Sequence, residues 1–220
     1  MKKTFSFLLS IVIISFAGNA QTEETIVFMG INAGIDYDMN AYHFTKNQSF
    51  GYEYFGITPT FNIGADCGIK VSKRFRPRIE LKYVNVQYGI DYRNTSLVAL
   101  GRDSVTVNYI DLNLHFDYLL LTIKNFQLFA SPALKYEFEL NTIAANNYSG
   151  GGGISPLVLV NPGNILGGAL SALFKYNFTD QFGLTLIPEY TIFFNRFATG
   201  NNKTYQRFTC NLGFEYKFGD

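Results

Sequence analysis

The residues best suited to acid–base chemistry are His115 and Asp117, two positions apart in a chain of 220 residues, with Asp111 close by. A carboxylate can orient an imidazole for proton transfer, so this pair could act as a general base. No serine is adjacent to His115 in the sequence, which leaves a nucleophilic set incomplete. The alternative is an interior network of paired charges. We expect the network, and predict that the protein is not an enzyme.

Charged side chains of both signs share the polar face of the segments around this pair. A polar interior requires mixed signs, because a buried charge without a partner is strongly destabilising. We expect Lys82 to lie near Asp117 or Asp66 on neighbouring segments. The predicted network consists of Asp66, Lys70, Glu80, Lys82, Asp111, His115, Asp117, Lys135, Glu137, Lys175, Glu189, Arg207, Glu215 and Lys217.

The sequence predicts neither a metal site nor a cofactor site. His43 is isolated in a loop, and two histidines with two dispersed cysteines do not supply the ligands that zinc needs. Gly150–Gly153 lacks the following Lys-Ser/Thr that completes a phosphate-binding loop. We interpret the glycine run as a flexible loop.

The segments that carry these residues alternate polar and apolar positions, as half-buried β-strands do. From Phe208 to Phe218, for example, every second residue is apolar and the residues between are polar or glycine. Phase changes near 83–84 and 109–110, and prolines within strands, predict local β-bulges. The prolines are Pro59, Pro132 and Pro188. The predicted strands are 26–38, 54–71, 78–92, 104–120, 126–140, 165–178, 183–196 and 204–218.

The lengths of the connections indicate which face of such a barrel is outside. The links 72–77, 121–125 and 179–182 are short, whereas 39–53, 93–103, 141–164 and 197–203 are longer. One rim of tight turns and one of loops is typical of outer-membrane barrels, whose apolar face contacts lipid. A secreted soluble barrel with its apolar face inward is the alternative. The predicted fold is all-β, an eight-stranded antiparallel up-and-down transmembrane β-barrel.

The N-terminus predicts export. Lys2 and Lys3 precede an apolar stretch at 5–16 and small residues at 17–20, which indicates a signal peptide over 1–20 and a barrel domain over 21–220. The apolar stretch is shorter than the roughly 20 residues of a spanning helix. With 18 basic and 17 acidic residues, the charge balance predicts no nucleic-acid partner. The predicted location is the bacterial outer membrane.

Cys67 and Cys210 fall on the lipid-facing side of the second and last strands. In a closed barrel the first strand separates them, so their backbones would be roughly 9–10 Å apart. A disulfide requires Cα atoms within about 7 Å. We predict two free thiols.

Three segments resemble the small outer-membrane-protein β-barrel-domain family, whose members are eight-stranded barrels of the OmpA type. Residues 108–114 resemble the family's Tyr-Leu-Glu-Ile-Pro-Leu segment, although Asn113 replaces a frequent proline. Residues 129–134 resemble the following strand, and 214–218 the closing one. The resemblance implies contact with outer-membrane lipid, assembly by the barrel-assembly machinery through the terminal aromatic Phe218, and no particular reaction. No periplasmic domain is expected after the last strand.

The expected function follows from the size of the barrel. Eight strands enclose a space that side chains can fill, unlike the porins of sixteen or more. We expect a structural or surface-interaction protein with its loops outside and its lumen filled by the polar network. An outer-membrane enzyme acting on lipid or peptide, and an accessory factor in secretion or surface assembly, are the alternatives.

The third long loop, 141–164, is the predicted contact site for an extracellular or membrane protein. Surface loops are normally polar, yet a largely aliphatic stretch follows the glycine run, and exposed apolar patches mark contact sites. The stretch could instead form a lid over the barrel mouth or enter the outer leaflet. Its aliphatic residues are Ile154, Leu157, Val158, Leu159 and Val160.

Overall fold

A computed structural model describes residues 26–39, 53–57, 59–93, 99–148, 163–194 and 206–218. The predicted signal peptide, 1–20, lies outside these residues. Within them, no helix is long and apolar enough to cross a bilayer. The described residues form the β-segments β1 (Ile26–Met39), β2 (Glu53–Ile57), β3 (Thr60–Lys70), β4 (Phe75–Arg93), β5 (Ala99–Ile123), β6 (Phe126–Tyr148), β7 (Ile165–Asn177), β8 (Phe182–Phe193) and β9 (Gln206–Phe218).

The segments form one closed antiparallel barrel. β1 pairs with both β3 and β9, the pairing continues from β9 back to β4, and β4 pairs with β3, which closes the ring. β2 and β3 pair in succession along β4, so they are two parts of one barrel strand, interrupted at Pro59. The predicted eight-stranded antiparallel barrel is therefore confirmed.

The exterior of the barrel is apolar and its interior is polar. On β9 the side chains of Arg207, Thr209, Asn211 and Glu215 are buried, whereas the apolar residues between them are exposed. In the described strands, no acidic or basic residue takes an outward position between the two rims. This arrangement contradicts the soluble alternative, because a soluble barrel buries its apolar face.

The apolar exterior has the height of a membrane. Outward side chains are apolar from Val27 to Tyr37 on β1 and from Phe208 to Phe218 on β9. Ten residue steps of about 3.3 Å, tilted by about 40°, span roughly 25 Å along a barrel axis. This matches the apolar band of outer-membrane barrels, about 25 Å tall with aromatic rings at its borders. Tyr216 and Phe218 form such a border pair, with ring centroids 4.6 Å apart.

The two rims differ, as predicted. Short turns at 71–74, 124–125 and 178–181 close one rim, which we call the turn side. The opposite rim, the loop side, differs from prediction because β5 begins at Ala99 and β6 continues to Tyr148, so parts of the expected loops 93–103 and 141–164 are strand. There, β2, β4, β5 and β6 extend the sheet past Ile165, the residue at which β7 begins. We call this extension the projecting sheet.

The two expected bulges have different outcomes. β5 and β6 change register between Asn108 and Tyr109, close to the predicted position at 109–110. At 83–84 the prediction is wrong, because β4 keeps its register with both β3 and β5. The apolar phase changes there because Val84 and Val86 point into the lumen. Together with other buried residues near the loop side, they form an apolar layer: Val84, Val86, Val107, Tyr109, Ile165 and Phe193, each at most 1% exposed.

Pro132 and Pro188 interrupt pairing without shifting it, whereas the register with β4 shifts by one residue across Pro59, where the expected bulge is confirmed. At Pro132 the β5–β6 ladder lacks two residue pairs, but the offset is the same on both sides of the gap. The β7–β8 ladder has the same kind of gap at Pro188. The expected bulges at these two residues are therefore wrong. A missing N–H removes a ladder bond, and an outward-facing ring leaves the rest of the strand in register.

Candidate functional site

The structure places most of the predicted network inside the barrel. Eleven of the fourteen residues are at most 7% exposed: Glu80, Lys82, Asp111, His115, Asp117, Lys135, Glu137, Lys175, Glu189, Arg207 and Glu215. Asp66 is partly buried, while Lys70 and Lys217 reach the mouth of the lumen on the turn side. The network occupies the lumen between that mouth and the apolar layer.

Arg78 lies at the centre of the network, although the sequence prediction omitted it. Its guanidinium is 3.3 Å from Asp117 and 3.7 Å from both Asp66 and Glu80, and its side chain is 1% exposed. The prediction placed 72–77 in a turn and began the strand at Arg78 itself. In the structure, β4 begins at Phe75, so the inward alternation starts with Arg76 and Arg78.

Lys82 does not contact the predicted partners. Its ammonium nitrogen lies 3.0 Å from Glu80, two residues earlier on the same inward face, and not beside Asp117 or Asp66. Arg78 takes those two carboxylates instead, because it lies closer to the turn side on the same strand. Glu80 also accepts hydrogen bonds from Asn32 at 2.8 Å and Asn113 at 3.0 Å.

Two further groups of ion pairs connect distant strands. Lys135 on β6 binds Glu189 on β8 at 2.7 Å and Asp111 on β5 at 3.3 Å. Arg207 on β9 binds Glu137 on β6. The pairs of β6 with Glu189 and with Arg207 cross the lumen, because neither β8 nor β9 is a neighbour of β6 in the sheet. The space that they bridge is occupied by side chains.

The third group forms the floor of the turn-side mouth. Arg76 lies 2.9 Å from Glu215 and 3.1 Å from Asp117, and Lys175 also binds Glu215. The Arg76 guanidinium lies over the rings of Phe28, at 4.5 Å, and Phe129, at 4.2 Å. Arg76 was also missed, because the prediction placed it in the turn 72–77.

A serine does stand beside His115 in space. Ser131 Oγ is 3.2 Å from His115 Nδ1, and His115 Nε2 is 3.0 Å from Glu80. The sequence could not indicate this neighbour, because Ser131 lies on β6 and the contact depends on the register between β5 and β6.

This arrangement of serine, imidazole and carboxylate resembles a nucleophilic triad, but its geometry does not suit catalysis. Ser131 donates its hydrogen to Asp117 at 2.5 Å, so the imidazole is not positioned to remove it. Ser131 is 0% exposed and His115 is 1% exposed, in the middle of the packed lumen. A substrate would have to displace the network to reach them.

The described residues contain neither a group of metal ligands nor a disulfide. Among the described residues, no group of three or more His, Cys, Asp and Glu side chains could hold a metal ion. His43 and Gly150–Gly153 lie outside those residues. Cys67 and Cys210 are free and exposed on the outer face, as predicted. Their partners on β1 are Met29 and Ile35, so they are offset along the barrel as well as around it.

No protein family model matches the chain, and no curated protein matches it. Solved structures do match, and several of them are small eight-stranded outer-membrane barrels. The chain, too, is a closed antiparallel barrel of eight strands. Neisserial surface protein A is 12% identical (TM-score 0.48; 89% of this chain, 100% of that one). OprG from Pseudomonas aeruginosa is 14% identical (TM-score 0.48; 89% and 96%). Ail of Yersinia pestis is 11% identical (TM-score 0.42; 89% and 100%). The likeness is in the fold alone.

Proposed function

We propose that the protein is a structural or surface-interaction barrel of the bacterial outer membrane, anchored by its apolar exterior and closed to diffusion. One observation carries the proposal. The lumen contains charged side chains at most 7% exposed, paired across the barrel, beneath the apolar layer near the loop side. A lumen filled in this way supports an anchor rather than a pore.

The loop side is the proposed contact face. The projecting sheet supports this, because β4, β5 and β6 carry ordered backbone beyond the barrel, where a partner outside the cell could reach it. The candidate contact residues Ile154, Leu157, Val158, Leu159 and Val160 lie outside the described residues. β6 leads directly towards that segment, which remains part of the proposal together with its lid and leaflet alternatives.

A non-enzymatic role fits the burial of the acid–base candidates. His115, Asp117 and Ser131 are at most 1% exposed, in a lumen packed with other side chains. A catalytic group must touch its substrate, which these three could do only after the network is displaced.

Conductance measurements test the closed lumen. Purified barrel reconstituted in a planar bilayer is expected to give no stable channel steps, because ion movement would require breaking several buried ion pairs. A porin of sixteen strands in the same bilayer serves as the positive control. Large, stable single-channel steps from this protein would contradict the proposal.

Substitution of Phe218 tests both the location and the assembly signal. The wild-type protein is expected in the outer-membrane fraction, with gel mobility that changes on heating. Phe218→Ser should reduce the amount of folded barrel in the outer-membrane fraction several-fold, if the assembly machinery recognises the terminal aromatic residue. Phe214→Ser is the matched control, because Phe214 is another outward, exposed aromatic on β9.

Two results would count against Phe218 as an assembly signal. Folded Phe218→Ser barrel at wild-type levels would show that the terminal ring is not recognised during assembly. Equal losses for the Phe218→Ser and Phe214→Ser variants would indicate a general requirement for apolar side chains on β9.

A further inference from the structure

The turn side of the barrel opens into a cavity of about 890 Å³. Its walls are the strand ends and the turns 71–74, 124–125 and 178–181, and Arg76, Phe28 and Phe129 contribute to its floor. Pockets for small molecules typically measure about 300–1,000 Å³. The cavity therefore has the size of a ligand site, and the network above it blocks passage further into the lumen.

The charge of the cavity is strongly unbalanced. Seven basic residues line it against two acidic ones, Asp180 and Glu215. Glu215 is already bound by Arg76 and Lys175 on the floor. The remaining basic residues surround the mouth: Lys70, Lys73, Arg74, Lys124 and Lys217. Within the described part of the chain, Lys70, Arg74, Lys124 and Lys217 form no ion pair. Clefts lined by one sign of charge concentrate ions of the other sign.

One of these lysines is in an unfavourable backbone conformation. Lys124 has φ of 50° in the two-residue turn between β5 and β6, a region that favours glycine or asparagine. The left-handed conformation costs about 1–2 kcal/mol for an ordinary residue. Glycine would relieve this strain, so lysine at this position is not explained by the turn itself. Its side chain contributes to the wall of the cavity.

Apolar groups complete the lining. Phe28 and Phe129 stack on the Arg76 guanidinium, and Ile26, Leu119 and Phe182 also line the walls. A single inorganic ion would leave most of this volume and all of this apolar surface to water. An anion with a compact organic body would use both the charges and the apolar walls.

We propose that this cavity binds a small organic anion carrying several carboxylate or phosphate groups. In an outer-membrane barrel the turn side faces the periplasm, so the ligand would be a free periplasmic solute. The inference extends beyond the anchoring role and does not depend on a partner at the loop side, because binding can be measured on the purified protein.

Benzenehexacarboxylate is a suitable probe, because it combines a flat ring with several negative charges. Calorimetric titration of the folded full-length protein in a non-ionic detergent is expected to show one saturable site. Affinity should fall at least about fivefold as salt is raised from about 0.02 M to 0.2 M, since the charges are then screened. Benzoate, with one carboxylate, should bind at least about tenfold more weakly.

Two variants remove charge from the mouth without touching the buried network. Lys124→Gly should weaken binding about threefold while the unfolding temperature stays equal or rises, because the strained turn is relieved. Lys217→Gln should weaken binding by a similar factor, and the double variant by about tenfold. Arg102→Gln is the matched control, because Arg102 lies on β5 at the loop side and its loss changes the net charge equally.

Three results would overturn the proposal. One is the absence of saturable binding to the wild-type protein. Another is an equal effect of Arg102→Gln and Lys124→Gly, which would indicate only a response to net charge. The third is loss of probe binding when the barrel is in nanodiscs of anionic instead of zwitterionic lipid, which would assign the cavity to lipid headgroups. Retained binding in both nanodiscs supports a free anion.

Discussion

The Arg78→Met variant is expected to lower the free energy of unfolding by about 3–5 kcal/mol, the cost typical of removing one partner from a buried ion pair. Arg78 is 1% exposed and is shared by Asp66, Glu80 and Asp117. Methionine has a similar length but no charge. The substitution would therefore leave three carboxylates close together in a lumen from which water is largely excluded.

Two other variants calibrate this effect. Arg74→Met removes a basic residue of the adjacent turn that is exposed and unpaired among the described residues, so it should change stability by at most about 0.5 kcal/mol. The loss of stability caused by Lys82→Ala should lie between those of the other two variants. It deprives Glu80 of one cation, but Glu80 keeps Asn32, Asn113 and His115 as partners.

The stability of all three variants can be measured by urea unfolding in detergent micelles, with heat-dependent gel mobility as the readout for folded barrel. A double variant, Arg78→Met with Asp117→Asn, should recover part of the loss, because it removes one of the three carboxylates that Arg78 had held close together. If Arg78→Met unfolds at the same urea concentration as Arg74→Met, the centre of the lumen is hydrated and the proposed closed interior is wrong.

The sequence predicted the fold well because side-chain alternation is a local property. Each strand that contacts lipid on one face and the lumen on the other repeats every two residues, which needs no knowledge of its neighbours. The difference between short and long connections is local as well. Strand number, antiparallel order, the outward face and the free thiols could all be derived from these patterns.

The contacts of the candidate site could not be predicted, because they depend on register. Ser131 lies beside His115 only because β5 and β6 pair with one particular offset. The register shift between Asn108 and Tyr109 changes that offset along the same two strands. The partner of Lys82 depended in turn on the register of β4 with β3 and β5, which places Arg78 and not Lys82 beside Asp66 and Asp117.

The polar interior was also predicted to be more uniform than it is. Val84 and Val86 were interpreted as evidence of a bulge, on the assumption that every inward residue is polar. In the structure the lumen has an apolar layer near the loop side and a charged region beneath it. A period-two pattern reports which residues share a face, but not whether that face is polar along its whole length.

The second large effect is expected for Gly34→Ala at the closure of the barrel. Gly34 on β1 pairs with Asn211 on β9, the ladder that joins the first strand to the last. A Cβ at Gly34 would lie 2.3 Å from the carbonyl oxygen of Cys210 and 2.8 Å from the Cα of Asn211. Both atoms belong to the backbone of β9, so no change of rotamer relieves the clash.

The expected loss of stability is about 3 kcal/mol, the upper part of the range for overpacked sites. It would exceed the roughly 0.5–1 kcal/mol that alanine gains over glycine through lower chain entropy. Gly30→Ala is the matched control on the same strand and the same inward face. Its Cβ would meet the carboxylate of Asp66 at 2.8–2.9 Å, the end of a side chain that can move.

Refolding into detergent, scored by heat-dependent gel mobility and urea midpoint, distinguishes the two substitutions. Gly34→Ala should give less closed barrel and a lower midpoint than Gly30→Ala, because only the former forces β1 away from β9. Equal midpoints would mean that the ladder between β1 and β9 can widen at little cost. Closure would then depend on the ion pairs that cross the lumen more than on the fit between its first and last strands.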